Sequence, residues 1–323
     1  MRAIQVSKTG GPEVLELVDI PVPQPKANEA LVKIEASGVN FIDVYFREGR
    51  YPTQLPFISG REMAGVVTDV GKDVKEFRPG DRVAQTGVMG SYAEYQSVPQ
   101  DQLVHVPAGV TNQQAAASML QGATMHYLMR STYPLRAGEV ALVHAAAGGM
   151  GLLLTQLGKI IGATIIGTVS TDEKAKLARD AGADHIINYT NQDFVAEVKR
   201  ITGNQGVDVV YDGVGKTTFD GSLSVLRPRG YMVLFGGASG AVPPFDPIRL
   251  TQLGSLFLTR PSLSHYIAKR EELVWRMTEV FNLIAAGDLK IHIGATYSLR
   301  DSQQAHRDLE ARKTTGKVLI LPS

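Results

Sequence analysis

The sequence predicts an α/β chain of two domains, one a doubly wound parallel sheet and the other mostly β. Three observations lead there. The length of 323 residues exceeds what one ordinary core accommodates. From Glu139 to about residue 259, short apolar runs alternate with helical segments, the rhythm of a parallel sheet covered on both faces. The first 110 residues instead show apolar runs separated by turn clusters, with few helical patterns.

Taken in order, MRAIQVS, VLELVDI, EALVKIEASGV and MAGVVTDVG read as strands, with GGP, PVPQP and RPGD as turns. Thr111 and Gln114 have capping-box spacing ahead of an alanine-rich helix through Met129. EVALVHA is then a strand, Gly149–Ile161 a helix stopped by Gly162, and ATIIGTV the next strand. A second helix spans 170–180, with Ser170 and Glu173 in capping-box spacing and a stop near Gly182. DHIINY, VDVVYDGV, GYMVLFG and SLFLT complete six strands, with helices around 193–202 and 216–226. After Arg260 follow a helix (271–286), a strand (291–298), a helix (301–311) and the strand KVLIL. The six-stranded sheet has no place for these last strands, so they are expected to return to the N-terminal domain.

Composition narrows the function. With 44% hydrophobic and 20% charged residues, the chain is globular in character and not disordered. Its net charge of +1 gives no global pull toward nucleic acid or anionic lipid. Cysteine is absent, which excludes disulfides, thiolate metal sites and a cysteine nucleophile. The uncharged stretch 140–158 reaches the length of a membrane span, but glycines at 148, 149 and 151 interrupt it; a buried strand followed by a buried helix explains it. Met1 to Gly10 shows no apolar leader, and a cytoplasmic protein is expected.

The segment Ala145-Ala146-Ala147-Gly148-Gly149-Met150-Gly151 lies between a predicted strand and a predicted helix. In that setting it reads as the phosphate-binding turn of a Rossmann fold. Backbone N–H groups must approach a pyrophosphate closely there, and the helix start adds partial positive charge. Ala145 occupies the place where the commoner fingerprint has its first glycine. NAD-specific folds usually place a carboxylate about 20 residues further on, against the ribose 2′-hydroxyl. Here that region reads Gly167-Thr168-Val169-Ser170, with Lys174 one turn later, and a hydroxyl plus a lysine suits a 2′-phosphate. NADPH is therefore expected over NADH. The plainer readings are Ser170 as a helix cap and Lys174 as a surface charge.

GGPEVLEL, ASGVNFIDVYFREGRYP, RPGDRV, HAAAGGMG, INYT, VYDGVG and LTRPSL together resemble the quinone oxidoreductase (zeta-crystallin) branch of the medium-chain dehydrogenase/reductase superfamily. The resemblance runs from residue 10 to about 320. It implies a GroES-like catalytic domain, expected at 1–124 and 263–323, a Rossmann domain at 125–262, and a homodimer. Zinc-dependent members carry a cysteine and a Gly-His-Glu motif where this chain has Gly38-Val39-Asn40 and Gly60-Arg61-Glu62. Asn40 and Arg61 cannot replace a thiolate and an imidazole, so no metal is expected. A quinone is already electrophilic and accepts reducing equivalents without a Lewis acid.

The resemblance also implies site residues. Asn40 and Tyr45 are expected on the nicotinamide-pocket wall, with the Tyr45 phenol donating toward the acceptor oxygen as charge builds there. Phe41 and Asp43 lie in the same segment, Asp43 in a mainly structural role. Thr124 is placed near the nicotinamide ribose or carboxamide, and Tyr189 beside the adenosine phosphate with Ser170 and Lys174. Val214, the run Phe235, Gly236 and Ser239, and the segment Leu258, Thr259 and Arg260 complete the cofactor contacts with Gly148, Gly149, Met150 and Gly151. Lys317 could reach a phosphate, the plainer reading being a solvated lysine. Tyr45 as a half-buried aromatic, Asn40 or Thr124 bonding local backbone, and Tyr189 packing at a strand end are the alternatives. His126 and His144 read as packed histidines.

The expected activity is NADPH-dependent reduction of a small quinone. Reduction of an activated C=C bond by the same cofactor is the enzymatic alternative. An NADPH-binding structural or RNA-binding role is the non-enzymatic one, and the near-zero net charge does not favour it.

Overall fold

In the computed structural model, which describes residues 1–322, the chain forms two units: Met1–Ala123 with the chain from Ile267 onward, and Thr124–Tyr266. Six parallel strands build the second unit, in the order His185–Asn188, Thr164–Val169, Val140–Val143, Val207–Asp212, Leu226–Leu234 and Phe257–Thr259. Leu142, Ile166, Val210 and Met232 are wholly buried, as strands covered by helices on both faces require. Connections run outward in both directions from the central pair Val140–Val143 and Val207–Asp212. That reversal is where open α/β sheets bind ligands, beyond the carboxyl ends of the strands.

Local chemistry sets the helices between them. Gly162 ends Gly149–Ile161 with φ +91°, a conformation that costs a residue without a Cβ little. Asp193 caps Phe194–Ile201 by accepting from the Val195 N–H at 2.9 Å. The helix expected from 170 begins two residues later, at Asp172, and its cap is Thr171 rather than Ser170. The Thr171 hydroxyl accepts from the Lys174 N–H at 3.2 Å, whereas Ser170 still belongs to the exit from its strand. Thr111 and Gln114 make the expected reciprocal bonds, at 3.1 and 2.9 Å. Their helix, Asn112–Tyr127, continues into a π-helical turn at Leu128–Thr132. The helix expected over 216–226 is shorter, Phe219–Ser224, because Leu226 already begins a strand.

The other unit is β-rich. Its larger sheet runs Ile293–Ser298, Lys317–Leu321, Glu29–Val39, Glu62–Val70, Arg82–Thr86 and Leu103–His105, with Tyr95–Pro99 also paired to Glu29–Val39. The last strand pairs antiparallel with Glu29–Val39, setting Val318 opposite Val39, so the chain end does return to the N-terminal sheet. That register carries Lys317 to the level of Asn40. A smaller sheet joins Leu15–Asp19, Arg2–Val6 and Phe57–Ile58. Besides the short helices Ile248–Gln252 and Leu263–Tyr266, a helix that matters to the site went unread in the sequence, Phe41–Arg47. Its signal was present, an asparagine and an aspartate three residues apart ahead of an apolar run.

Among the described residues no helix is long and apolar enough to cross a membrane. The uncharged stretch 140–158 divides into strand Val140–Val143, the glycine turn, and most of helix Gly149–Ile161.

Candidate active site

Most of the expected cofactor residues of the unit Thr124–Tyr266 lie at the carboxyl ends of the parallel strands. Ala145 follows the first of them with φ +52°, the left-handed conformation its glycine counterpart would adopt freely. Gly148 caps the next helix, and its N–H bonds the Ala145 carbonyl at 2.9 Å. A Cβ on Gly151 would collide with the Ala145 carbonyl oxygen and the Ala146 backbone. Side chains are therefore excluded where main chain and helix start converge. The first-turn N–H groups of that helix have no partner within it and lie at its positive end. This cradle fits a pyrophosphate.

Two further turns pack beside one another. The Asp212 carboxylate accepts from Val214 N–H (2.7 Å) and Gly215 N–H (3.0 Å). Ser239 donates its hydroxyl to the Val214 carbonyl at 2.8 Å and accepts from Thr217 N–H at 3.1 Å. Gly236 lies against the Gly213 backbone, and the Phe235 ring against Gly213. Val214, Phe235, Gly236 and Ser239 are thus one surface.

Val169 and Asn188 are in register on neighbouring strands, so Ser170 and Tyr189 emerge side by side. The Tyr189 ring is 43% exposed, and Lys174 stands on the adjoining first helical turn. A hydroxyl, a phenol and an ammonium therefore share one strand-end corner. Leu258 and Thr259 are half-buried on the edge strand, Arg260 is exposed beyond it, and Thr124 is buried in its helix.

In the β-rich unit, Lys317 and Asn40 are placed otherwise than expected. Lys317 is no solvated lysine: it is 2% exposed, and its Nζ reaches Glu62 Oε2 at 2.5 Å and Asn40 Oδ1 at 2.7 Å. A side chain committed there presents no charge to a phosphate. Asn40 is likewise buried, with its Nδ2 donating to Glu62 Oε2 at 2.8 Å, so both ends of its amide are used inside the fold. It positions the following helix and does not reach an acceptor. Asp43 turns inward too, accepting from the Asn40 N–H (2.9 Å) and the Tyr92 hydroxyl (3.1 Å). It offers a cofactor no side-chain atom.

Beyond Asp43 the buried chain continues through Tyr92 to His306, whose other nitrogen meets Arg47 at 3.0 Å. Burial, with the Arg47 charge adding to it, pushes His306 down to about 3, so it is neutral. Burial raises Asp43 from an ordinary 3.8 to about 7, against the lowering effect of the Asn40 N–H and Tyr92 hydroxyl. Its Oδ1 has no hydrogen-bond partner. Tyr92 and His306 were not marked by the sequence, and Glu62 stood out only within Gly60-Arg61-Glu62, because their partners lie far away along the chain.

Tyr45, by contrast, belongs to an accessible aromatic wall. Its ring meets Tyr51 edge-on at 5.5 Å and Phe41 at 6.5 Å, and the Arg50 guanidinium lies 5.3 Å from its centre. Arg61 stacks over Phe46 at 4.9 Å.

Residues 26–108 match the alcohol dehydrogenase GroES-like domain, and residues 149–280 match the family described as zinc-binding dehydrogenase. The chain is 46% identical to Escherichia coli quinone oxidoreductase 1 over 323 residues, 99% of each protein. The chain belongs to the quinone oxidoreductase family. Among solved relatives, E. coli quinone oxidoreductase complexed with NADPH superimposes with a TM-score of 0.98 at 45% identity, covering all of both chains. A 2-haloacrylate reductase from Burkholderia is 40% identical over 331 residues, covering 99% of this chain and 98% of that one.

Among the described residues, this chain has no donor set to suit the zinc in that family description. Asn40 is occupied by Lys317 and Glu62, and the Arg61 guanidinium has no lone pair to give. Among the described residues no three His, Cys, Asp or Glu side chains gather at metal-binding distance. The positive charge beside Glu62 is instead an ammonium.

Asp43 makes stability depend on pH. Folded, it keeps its proton to about pH 7, while the unfolded chain loses it near 3.8. The folded state binds the extra proton across that window, so stability falls as pH rises through it, by up to about 1.4 kcal/mol per pH unit. Asp43→Asn should abolish this slope. Subtracting the variant's melting curves from wild type between pH 4 and 8 removes the opposing contribution of His306. Parallel curves for the two proteins would exclude a raised Asp43.

Proposed function

We propose that this chain is an NADPH-dependent quinone reductase that works without a metal ion. The observation that carries the reading is the glycine cradle at 148–151 set beside a strand-end corner of hydroxyl, phenol and ammonium. NADPH, when bound, supplies the hydride. The protein's part is to bind, orient and keep water out. Main-chain N–H groups at Gly148, Gly149, Met150 and Gly151 take the pyrophosphate, and Ser170, Lys174 and Tyr189 take the 2′-phosphate. Val214, Phe235, Gly236, Ser239, Leu258, Thr259 and Arg260 form the wall for the rest of the cofactor, with Thr124.

The aromatic cluster of Phe41, Tyr45 and Tyr51 offers ring faces and edges against which a planar acceptor can pack. The Tyr45 hydroxyl donates toward the acceptor oxygen, where negative charge grows as hydride arrives. Reduction of an activated double bond is a second reading, supported by the 40% identity to the haloacrylate reductase. The protein is proposed to be cytoplasmic and homodimeric, through edge strand Phe257–Thr259, whose Phe257 is 48% exposed.

NADPH oxidation with 1,4-benzoquinone, 9,10-phenanthrenequinone and an α,β-enal separates the two readings, and turnover of the enal alone would reject quinone reduction. Tyr45→Phe should lower kcat/KM for the quinone about tenfold, the scale of one net hydrogen bond. Lys174→Ala should erase most of the preference for NADPH over NADH, measured as a ratio of dissociation constants; an unchanged ratio removes Lys174 from the 2′-phosphate site. Light scattering should give a dimer mass, and a monomer would refute pairing at that edge.

A further inference from the structure

The core of the dinucleotide unit holds a histidine that the proposed function does not use. His144 is 4% exposed and stands between the glycine turn and the centre of the sheet. Its Nδ1 lies 3.0 Å from Thr168 Oγ1, and its Nε2 lies 2.9 Å from Ser222 Oγ. Ser222 donates to Asp212 Oδ2 at 3.2 Å, and Thr218 donates to the same oxygen at 2.7 Å. At the other end, Thr168 Oγ1 accepts from the Ala145 N–H at 3.3 Å. Thr168, Asp212 and Ser222 are at most 1% exposed.

These contacts admit one arrangement of protons. Ser222 spends its only proton on the Asp212 carboxylate, so it accepts from His144, and Nε2 carries the ring proton. Burial pulls His144 below its usual range, with Asp212 opposing, so the ring is neutral and Nδ1 is an acceptor. The Thr168 hydroxyl donates to it and keeps a lone pair for the Ala145 N–H. A single directed chain therefore runs from Ala145, at the head of the glycine turn, to Asp212, which holds the Val214 and Gly215 N–H groups.

We propose that His144, Thr168 and Ser222 are positioning residues for the dinucleotide. They act without touching it, by holding the turn at 145–151 and the turn at 213–215 in a fixed mutual setting. This rests on the reading that both turns bind NADPH. An apolar core would tolerate small shifts of one strand end against the other. A chain of directed, buried hydrogen bonds does not, because each broken link strands a buried donor or acceptor.

Thr168→Val keeps shape and removes the hydroxyl, leaving the Ala145 N–H and His144 Nδ1 unpaired. The NADPH dissociation constant, read by titration calorimetry without acceptor, should rise about tenfold, the scale of one lost buried hydrogen bond. Thr168→Ser should restore binding to within about twofold on the same scale. Ser222→Ala cuts the same chain at its far end and should weaken binding similarly, deciding the matter if Thr168→Val fails to fold. Thr168→Val/Ser222→Ala should be no worse than the poorer single variant, since one cut already interrupts the side-chain path between the turns. Wild-type affinity in a folded Thr168→Val or Ser222→Ala protein would overturn the proposal. So would equal loss in Thr168→Ser and Thr168→Val, which would make the effect one of packing. Absence of NADPH binding by wild type would instead bring down the dinucleotide reading itself, and this proposal with it.

Discussion

A lysine and a glutamate with almost no exposure, Lys317 and Glu62, hold the β-rich unit in register at its most demanding point. Burying two charges is costly, and their attraction offsets that cost only when the remaining polar atoms are also satisfied. Here they are: Asn40 bonds both groups, and the Leu120 N–H reaches the second Glu62 oxygen at 2.6 Å. Losing one member would leave a buried charge without its counterpart, at a cost of about 3–5 kcal/mol. The arrangement fixes the start of helix Phe41–Arg47, and through it the angle at which Tyr45 leaves the surface.

The same positions account for the kind of chemistry the protein supports. Where zinc-dependent relatives need lone pairs, this chain supplies an ammonium, a guanidinium and an amide already bonded at both ends. None of these is a zinc ligand of the usual kind, and a quinone can be reduced without a Lewis acid, whereas an alcohol would need help to lose its proton. The dinucleotide unit shows a complementary economy. Its glycines remove side chains near the phosphates, and a neutral polar chain beneath them spares the core a second charge.

Much of the Rossmann unit was legible because its signals are local. Strand–turn–helix order, the glycines of 148–151 and the stop at Gly162 all lie within a few residues of what they determine. The cap misplaced by one residue, Ser170 for Thr171, shows the limit of that resolution, since either hydroxyl satisfies the pattern. The β-rich unit was legible as a class and opaque in its centre. Residues 40, 43, 62, 92, 306 and 317 meet through strand pairing across the whole chain, and nothing near Lys317 distinguishes it from a surface lysine. The strands after residue 290 could be assigned to this unit from the sequence, but their partners and the register opposite Val39 could not.

That register bears on the order in which the chain is made. Residues 124–266 are contiguous and complete a sheet among themselves as soon as they leave the ribosome. The β-rich unit is divided around them, and its strand Lys317–Leu321 lies between two others rather than at an edge. Glu62 therefore waits for its counter-charge until residue 317 has been made. Premature termination would leave an intact nucleotide-binding half tethered to an unclosed sheet, a natural substrate for chaperones and proteases.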